Sequence, residues 1–337
     1  MNGGFKNMKK ITEKTTLAAL YNIPELKPLK RYLVYMKDDT KLKLASHVMT
    51  LKQLDGNGNF LYGYDRLMDV MQGGAKPICV YSREECKEDP EREHSNILFF
   101  PALQKDNTKP FVIIIAGGGY SMVYSLVEGY PVAKKFNEMG YPAFVFNYRV
   151  ENGNGIFPKP LEDLAHAVRY IYAHCGDFGL PENSEYIVGG FSAGGHISAE
   201  WGTDNEGFMK YGLPAPCALF LGYAAISSRY FISDDTKAMV KFRESIVGRN
   251  YDDAMEERFS ADLHVHSAYP PAYIVYCADD NMVDPKHSRS MAQALTQSGI
   301  PHEVEEGEKG GHGFSVGFHT SADGWMERAD RFFTETH

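Results

Sequence analysis

The chain has 337 residues, room for two domains at about 150 residues each or for one large α/β domain with insertions. Apolar residues make up 43% and charged residues 23%, ordinary globular usage that excludes disorder as the state of the whole chain. Lys plus Arg total 35 against 44 Asp plus Glu, a net charge of −9, which argues against nucleic acid as a partner. Five cysteines are scattered without a C-x-x-C pair, so neither a zinc ribbon nor a disulfide scaffold is expected. No run approaches the ~18 apolar residues of a membrane span, and the N-terminus lacks a signal-peptide apolar core. The expectation is a soluble, reduced, cytoplasmic protein; a leader removed from the chain is the alternative.

Residues 1–95 read as an N-terminal extension that contributes a cap. The expected elements are a short helix at 16–21, a strand at 31–36, a Gly/Asn turn at 55–59, a helix at 64–71 and a strand at 77–81. The charge-dense run 83–93 reads as a solvated helix or loop. From residue 96 to 337 the pattern changes. Short apolar runs at 97–100, 111–116, 143–147, 186–189, 217–222 and 272–277 read as strands buried on both faces. They alternate with helical patterns at 160–174 and 285–298, the second ending before Gly299. Strand–helix alternation predicts an α/β fold, a mainly parallel sheet with helices on both faces. Residues 224–262 interrupt it as a polar, cap-like insertion.

The chemistry is concentrated after the strands. Gly190-Phe191-Ser192-Ala193-Gly194 is a G-x-S-x-G sequence between a strand and a helix. A sharp turn there holds the serine hydroxyl clear of the sheet, and the flanking positions must be small. The helix starting at Ala193 aims its first N–H groups at a developing oxyanion. Upstream, Gly117-Gly118-Gly119-Tyr120 ends the strand 111–116. Its glycines let main-chain N–H groups face a substrate oxygen. Asp279-Asp280 follows the strand 272–277, and Gly310-Gly311-His312-Gly313 follows a strand-like stretch at 302–306. The order Ser192, Asp280, His312 supplies a nucleophile, an imidazole to take its proton and a carboxylate to orient the imidazole.

These residues make the chain similar to α/β-hydrolase serine esterases and lipases, near the acetyl-xylan-esterase-like and hormone-sensitive-lipase-like enzymes. The resemblance spans roughly residues 96–337. It implies an α/β-hydrolase fold, Ser192, Asp280 and His312 as catalytic triad, and the N–H groups of Gly118, Gly119 and Ala193 as oxyanion hole. It also implies a serine carboxylic-ester hydrolase acting on small acyl esters, acetylated carbohydrates included, with no metal or organic cofactor. An amidase, formamidase or peptidase using the same triad is the alternative chemistry; a non-catalytic binding protein on the same fold is the alternative class. Three features depart from the family pattern. Ala116 stands where many relatives have a loop-bracing His, Asp284 precedes Pro285, and residues 1–95 have no placed counterpart.

Several residues carry two readings. Asp279 and Asp284 compete with Asp280 as the acid; Asp284 also suits a helix start before Pro285. Glu128 reads equally as a support for the glycine loop or as an acid at a helix N-terminus. His196 reads as a hydrogen-bonded core histidine. His264-Val265-His266 reads as loop, with no partner set for a metal. Arg149 and Asp163 read as a structural ion pair. Tyr120 is a candidate substrate contact, with Tyr62 and Tyr64 as further pocket candidates. The sequence leaves the oligomeric state open.

Overall fold

The computed structural model describes residues 8–104, 106, 108–151, 154–228 and 237–336. Its strands in chain order are β1 (Tyr35–Met36), β2 (Ile78–Cys79), β3 (Asn96–Phe100), β4 (Phe111–Ile115), β5 (Met122–Val123), β6 (Ala143–Asn147), β7 (Tyr186–Phe191), β8 (Ala218–Gly222), β9 (Ala272–Cys277) and β10 (His302–Gly307). Eight of them form one sheet in the order β10-β9-β8-β7-β4-β6-β3-β2. From β10 to β6 every neighbour pair is parallel; β3 and β2 join antiparallel at one edge. The expected mainly parallel α/β sheet is what forms.

Apolar runs without alternation fit this placement, because a parallel sheet is covered on both faces. Every residue of β4, β6, β8 and β9 is buried. Each fully buried Ile or Phe contributes roughly 1.5–3 kcal/mol relative to exposure. The covering helices are amphipathic. Lys159–Ala173 buries Leu161, Leu164, Val168 and Ile171 on one face, and Lys286–Gln297 stops before Gly299, whose φ is +70°.

The order also fixes where chemistry can sit. From β4 the chain turns to one side for β6, then crosses back to β7 on the other side of β4. The crevice beyond the carboxyl ends of β4 and β7 is therefore a topological switch point, the usual place for a ligand in an open α/β sheet. The loops after β9 and β10 leave from the same edge.

Residues 8–95 are built differently. They hold the 14-residue helix Asn59–Gln72, otherwise short helices and 3-10 turns, and two two-residue strands, β1 and β2. The expected strand at 31–36 shrinks to β1. Residues 31–34 continue the turns that follow the 3-10 helix Pro24–Leu29, with Tyr32 N–H donating to Leu29 O and Leu33 N–H to the same oxygen. The expected strand at 77–81 shrinks to β2. The charged run forms a helix, Arg83–Glu88, capped by Ser82 and Glu85, then a 3-10 turn.

This segment is fastened to the sheet region at several points. The helix Asn59–Gln72 crosses Tyr130–Glu138 so closely that a Cβ on Gly63 would lie 2.7 Å from Pro131 Cα. β1 pairs with β5, and β2 with β3. The pair read from the sequence, Arg149 and Asp163, is buried, with Arg149 Nε donating to Asp163 Oδ1 at 2.8 Å. Tyr81 donates to the same carboxylate at 2.6 Å, and Asp89 accepts from Arg149 at 2.9 Å. Both partners come from the N-terminal segment. Two of the scattered cysteines meet: Cys79 and Cys86 are free thiols with Sγ atoms 3.8 Å apart.

In the insertion, residues 229–236 lie outside the described residues. The rest includes helices Lys237–Val247 and Asp253–Arg258. Among the described residues no helix is long and apolar enough to cross a membrane.

Candidate active site

β7 delivers Ser192 at the switch point. Its backbone is strained, with φ +52° and ψ −118°, and the helix Ala193–Trp201 starts at the next residue. The close turn explains the flanking glycines. A Cβ on Gly190 would sit 2.3 Å from Ile115 O, and one on Gly194 would sit 2.1 Å from the same oxygen. Strain at a residue with a reactive side chain is maintained because surrounding packing over-determines it.

Ser192 Oγ lies 2.9 Å from His312 Nε2, and His312 Nδ1 lies 2.7 Å from Asp280 Oδ2. A carboxylate facing Nδ1 requires the proton there, which leaves Nε2 with the lone pair that accepts the serine proton. The other oxygen of Asp280 accepts from the N–H groups of Met282 at 2.8 Å and Val283 at 3.0 Å. The acid is thus pinned by its own turn. Its two rivals do other work. Asp279 accepts from the N–H groups of Gly311 at 2.7 Å and Gly310 at 3.0 Å, which hold its carboxyl below the usual range and fasten the loop carrying His312. Asp284 accepts from Lys286 N–H at 2.9 Å, at the start of Lys286–Gln297.

The glycine loop after β4 stands across from Ser192. Gly118 and Gly119 have φ of +138° and +58°, and a Cβ on Gly118 would meet Met122 O at 2.3 Å. Among the described residues, the N–H groups of Gly118, Gly119 and Ala193 have no protein acceptor. The brace that a His would give at position 116 comes from Glu128 instead. Its Oε2 accepts from Gly117 N–H at 2.7 Å and its Oε1 from the Tyr223 hydroxyl at 2.8 Å. Of the two readings of Glu128, the loop support is the one the contacts match. Burial pushes its carboxyl up, opposed by those donors and by His312. The Tyr223 ring meets the His312 ring edge-on at 4.8 Å. Tyr223 was not singled out by sequence; its only signal is its place just past the carboxyl end of β8.

A cavity of about 680 Å³ opens over these groups, within the usual range for small-molecule sites. Ser192, His312, Gly118, Gly119 and Glu128 line its floor. Met122, Tyr124 and Val127 form an apolar side, and Met282 and Val283 another. A further side comes from Leu54–Asn57 in the N-terminal segment, of which the sequence marked 55–57 only as part of a turn. Tyr124 donates to Leu54 O at 2.6 Å, tying that side to the glycine loop. No described residue of the insertion 224–262 lines the cavity.

Tyr120 needs correction as a substrate contact. It is fully buried beneath the glycine loop, and its hydroxyl is 2.6 Å from His196 Nδ1 and 3.1 Å from Ala193 O. The physical reason is its φ of +60°, which turns the side chain inward just past Gly119. Tyr62 and Tyr64 also lie away from the cavity; they hydrogen-bond to Glu138 and to Lys9 O. His196 is a buried, hydrogen-bonded histidine as read, with Nε2 3.0 Å from Phe259 O. His264 and His266 each meet a main-chain carbonyl, and among the described residues no cluster of three or more His, Cys, Asp or Glu could hold a metal.

Comparison with known proteins places this architecture. The family model BD-FAE matches residues 98–295, more than half of the chain. The chain belongs to the BD-FAE family. Ser192 and Asp280 fall inside the matched segment and His312 beyond it. The endo-1,4-beta-xylanase B of Butyrivibrio fibrisolvens is 28% identical over 236 residues, covering 67% of this chain and 36% of that protein. An acetylxylan esterase of Xylanibacter ruminicola is 27% identical over 210 residues, covering 61% and 41%. The chain thus spans less than half the length of either relative. Among solved structures, the acetyl ester-xyloside bifunctional hydrolase of Caldicellulosiruptor lactoaceticus aligns with a TM-score of 0.64 at 25% identity, over 77% of this chain and 96% of that one. The carboxylesterase Cest-2923 of Lactobacillus plantarum aligns at 0.60 and 23%, over 72% and 92%, a likeness of fold. The α/β-hydrolase fold expected from the sequence is borne out.

Proposed function

We propose that the protein is a serine carboxylic-ester hydrolase for small acyl esters, with acetylated carbohydrates as the substrate class. The observation that carries this reading is the unbroken hydrogen-bonded series Asp280–His312–Ser192 at the floor of the cavity. A serine hydroxyl is too weak an acid to attack a carbonyl unaided. His312 Nε2 takes its proton as Oγ adds to the ester carbon, and Asp280 stabilises the imidazolium that forms. The negative charge then builds on the former carbonyl oxygen, where the N–H groups of Gly118, Gly119 and Ala193 receive it. Each such donor is worth about 2.7–4 kcal/mol of barrier. His312 returns the proton to the departing alcohol, leaving an acyl group on Ser192; water repeats the sequence and frees the acid.

The acetyl-carbohydrate part draws on relatives described as an acetylxylan esterase and an acetyl ester-xyloside hydrolase. Its test is a panel of acetylated xylosides, aryl acetates and longer acyl esters, in which acetyl esters should be turned over fastest. Ser192→Ala should remove turnover of p-nitrophenyl acetate while the melting temperature stays near that of the parent. A fluorophosphonate probe should label the parent at Ser192. Labelling elsewhere, or parent-like turnover by the alanine variant, would sink the assignment.

A further inference from the structure

Glu128 is a buried carboxylate lining the cavity that the reaction above does not use. Its two oxygens each accept a hydrogen bond, one from Gly117 N–H and one from Tyr223 O–H. The Tyr223 oxygen already receives Ser315 N–H at 3.1 Å, so its own proton is committed to Glu128. Both contacts favour the ionised form, against the burial that pushes the carboxyl up. Ser315 lies three residues past His312, and its hydroxyl donates to Val127 O, the neighbour of Glu128. The network therefore runs from the loop after β4, through the end of helix Ser125–Glu128, to the loop after β10. It is short, with Glu128, Tyr223 and Ser315 all buried. A Cβ built on Gly117 would lie 3.0 Å from Glu128 Oε2 and 2.8 Å from Ser192 Cβ, so the carboxylate and the nucleophile flank the same glycine.

We propose that Glu128 is a positioning residue for ester hydrolysis, locking the glycine loop to the His312 loop through Tyr223 and holding a fixed negative charge that favours the imidazolium of His312. The inference rests on the serine-hydrolase reading. Its physical content is twofold. The Gly117 contact fixes the peptide plane that leads into the two carrying the Gly118 and Gly119 N–H groups, so the donors are aimed before the oxyanion forms. The charge attracts the cation that His312 becomes on taking the serine proton, from a buried position where screening is weaker than at the surface. The groups facing Glu128 are Gly117, Tyr124, Tyr148, Tyr223 and His312. Those facing His312 are Asp280, Ser192, Tyr223 and Glu128, with Asp279 acting through Gly310 and Gly311.

The test compares kcat and KM on p-nitrophenyl acetate for the parent, Glu128→Gln and Tyr223→Phe. Glu128→Gln keeps the shape and removes the charge. Its kcat should fall at least about tenfold with KM within about twofold, since the lost interaction acts mainly in the transition state. Tyr223→Phe keeps the carboxylate and the ring but cuts the bridge; its kcat should also fall with KM held, by less than in Glu128→Gln. A Glu128→Gln kcat within about twofold of the parent's, or a loss carried by KM instead of kcat, overturns the proposal. Should that variant not fold, a Tyr223→Phe kcat equal to the parent's overturns it instead. A parent with no ester turnover at all would overturn the hydrolase reading rather than this one.

Discussion

The sheet region and the N-terminal segment solve the same problem, burying apolar surface around one site, by opposite means. Residues 96–336 use long-range strand pairing, and the loops leaving one edge of the sheet carry Ser192, Asp280, His312 and the glycine loop. Residues 8–95 use one long helix, Asn59–Gln72, among otherwise short elements, and they reach the cavity with a single turn, Leu54–Asn57. The difference separates two kinds of information. Groups that react must adopt fixed geometry, so their neighbours are constrained to particular residue types. A wall need only be present and of suitable shape.

Asp163→Ala attacks the seam between the regions most severely. It leaves Arg149 buried without its main partner and frees the Tyr81 hydroxyl, so a loss of about 3–5 kcal/mol is expected in urea unfolding. If the two regions were merely apposed, Tyr81→Phe would cost nothing measurable; a loss near 1 kcal/mol is expected for that hydrogen bond.

Acid should find the sheet region first. His287, at the start of Lys286–Gln297, is buried and its imidazole is pushed down to about 3, chiefly by burial, while its Nδ1 accepts from Ser227 N–H. Between about 3 and the unfolded value near 6.5, the unfolded chain binds a proton that the folded one refuses. Stability should therefore fall as pH drops through that window, by up to about 1.4 kcal/mol per pH unit. His94, in the N-terminal segment, is shifted the same way by burial but is only half-buried, so its share is smaller. Unfolding measured from pH 4 to 7 should show a flatter slope for His287→Asn than for His94→Asn; equal slopes would refute the ranking.

The smallest effect expected is at the cavity wall. Tyr124→Phe removes the hydrogen bond to Leu54 O, for about 1 kcal/mol, and loosens the wall against the glycine loop. KM for an acetylated xyloside should rise about two- to threefold while kcat holds. A fall in kcat with KM unchanged would mean that the wall aims the oxyanion donors, and the contrast between reacting and enclosing groups would collapse.

The same contrast explains what the sequence disclosed. The strands of the sheet were legible to within about two residues, because two-sided burial leaves an apolar run that few other elements produce. Ser192 was legible because Gly190 and Gly194 admit no Cβ against Ile115 O. The choice among Asp279, Asp280 and Asp284 was not decided by local pattern, because only the packing of two loops brings His312 to Asp280 rather than to its neighbour. Glu128 had two equal readings, since its donors lie 11 residues before it and 95 after it, and no local pattern records either. Tyr120 misled because an aromatic beside a glycine loop looks like a pocket wall until the sign of its φ is known. Leu54–Asn57 was invisible as a wall, because its role is set by where the helix Asn59–Gln72 docks.

One modest feature, the two-residue strand β2, bears on how this protein can be cut and handled. It pairs with the outermost strand of the family core, Ile78 beside Ile97. Trimming the chain to the segment the family model matches, from residue 98, would remove β2 and the first two residues of β3 together. The sheet would then end on a ragged apolar margin with unpaired N–H and C=O groups, an invitation to strand addition from another molecule. A shortened protein should therefore sediment as aggregates where the full chain does not. The boundary drawn by resemblance is not the boundary at which the sheet is closed.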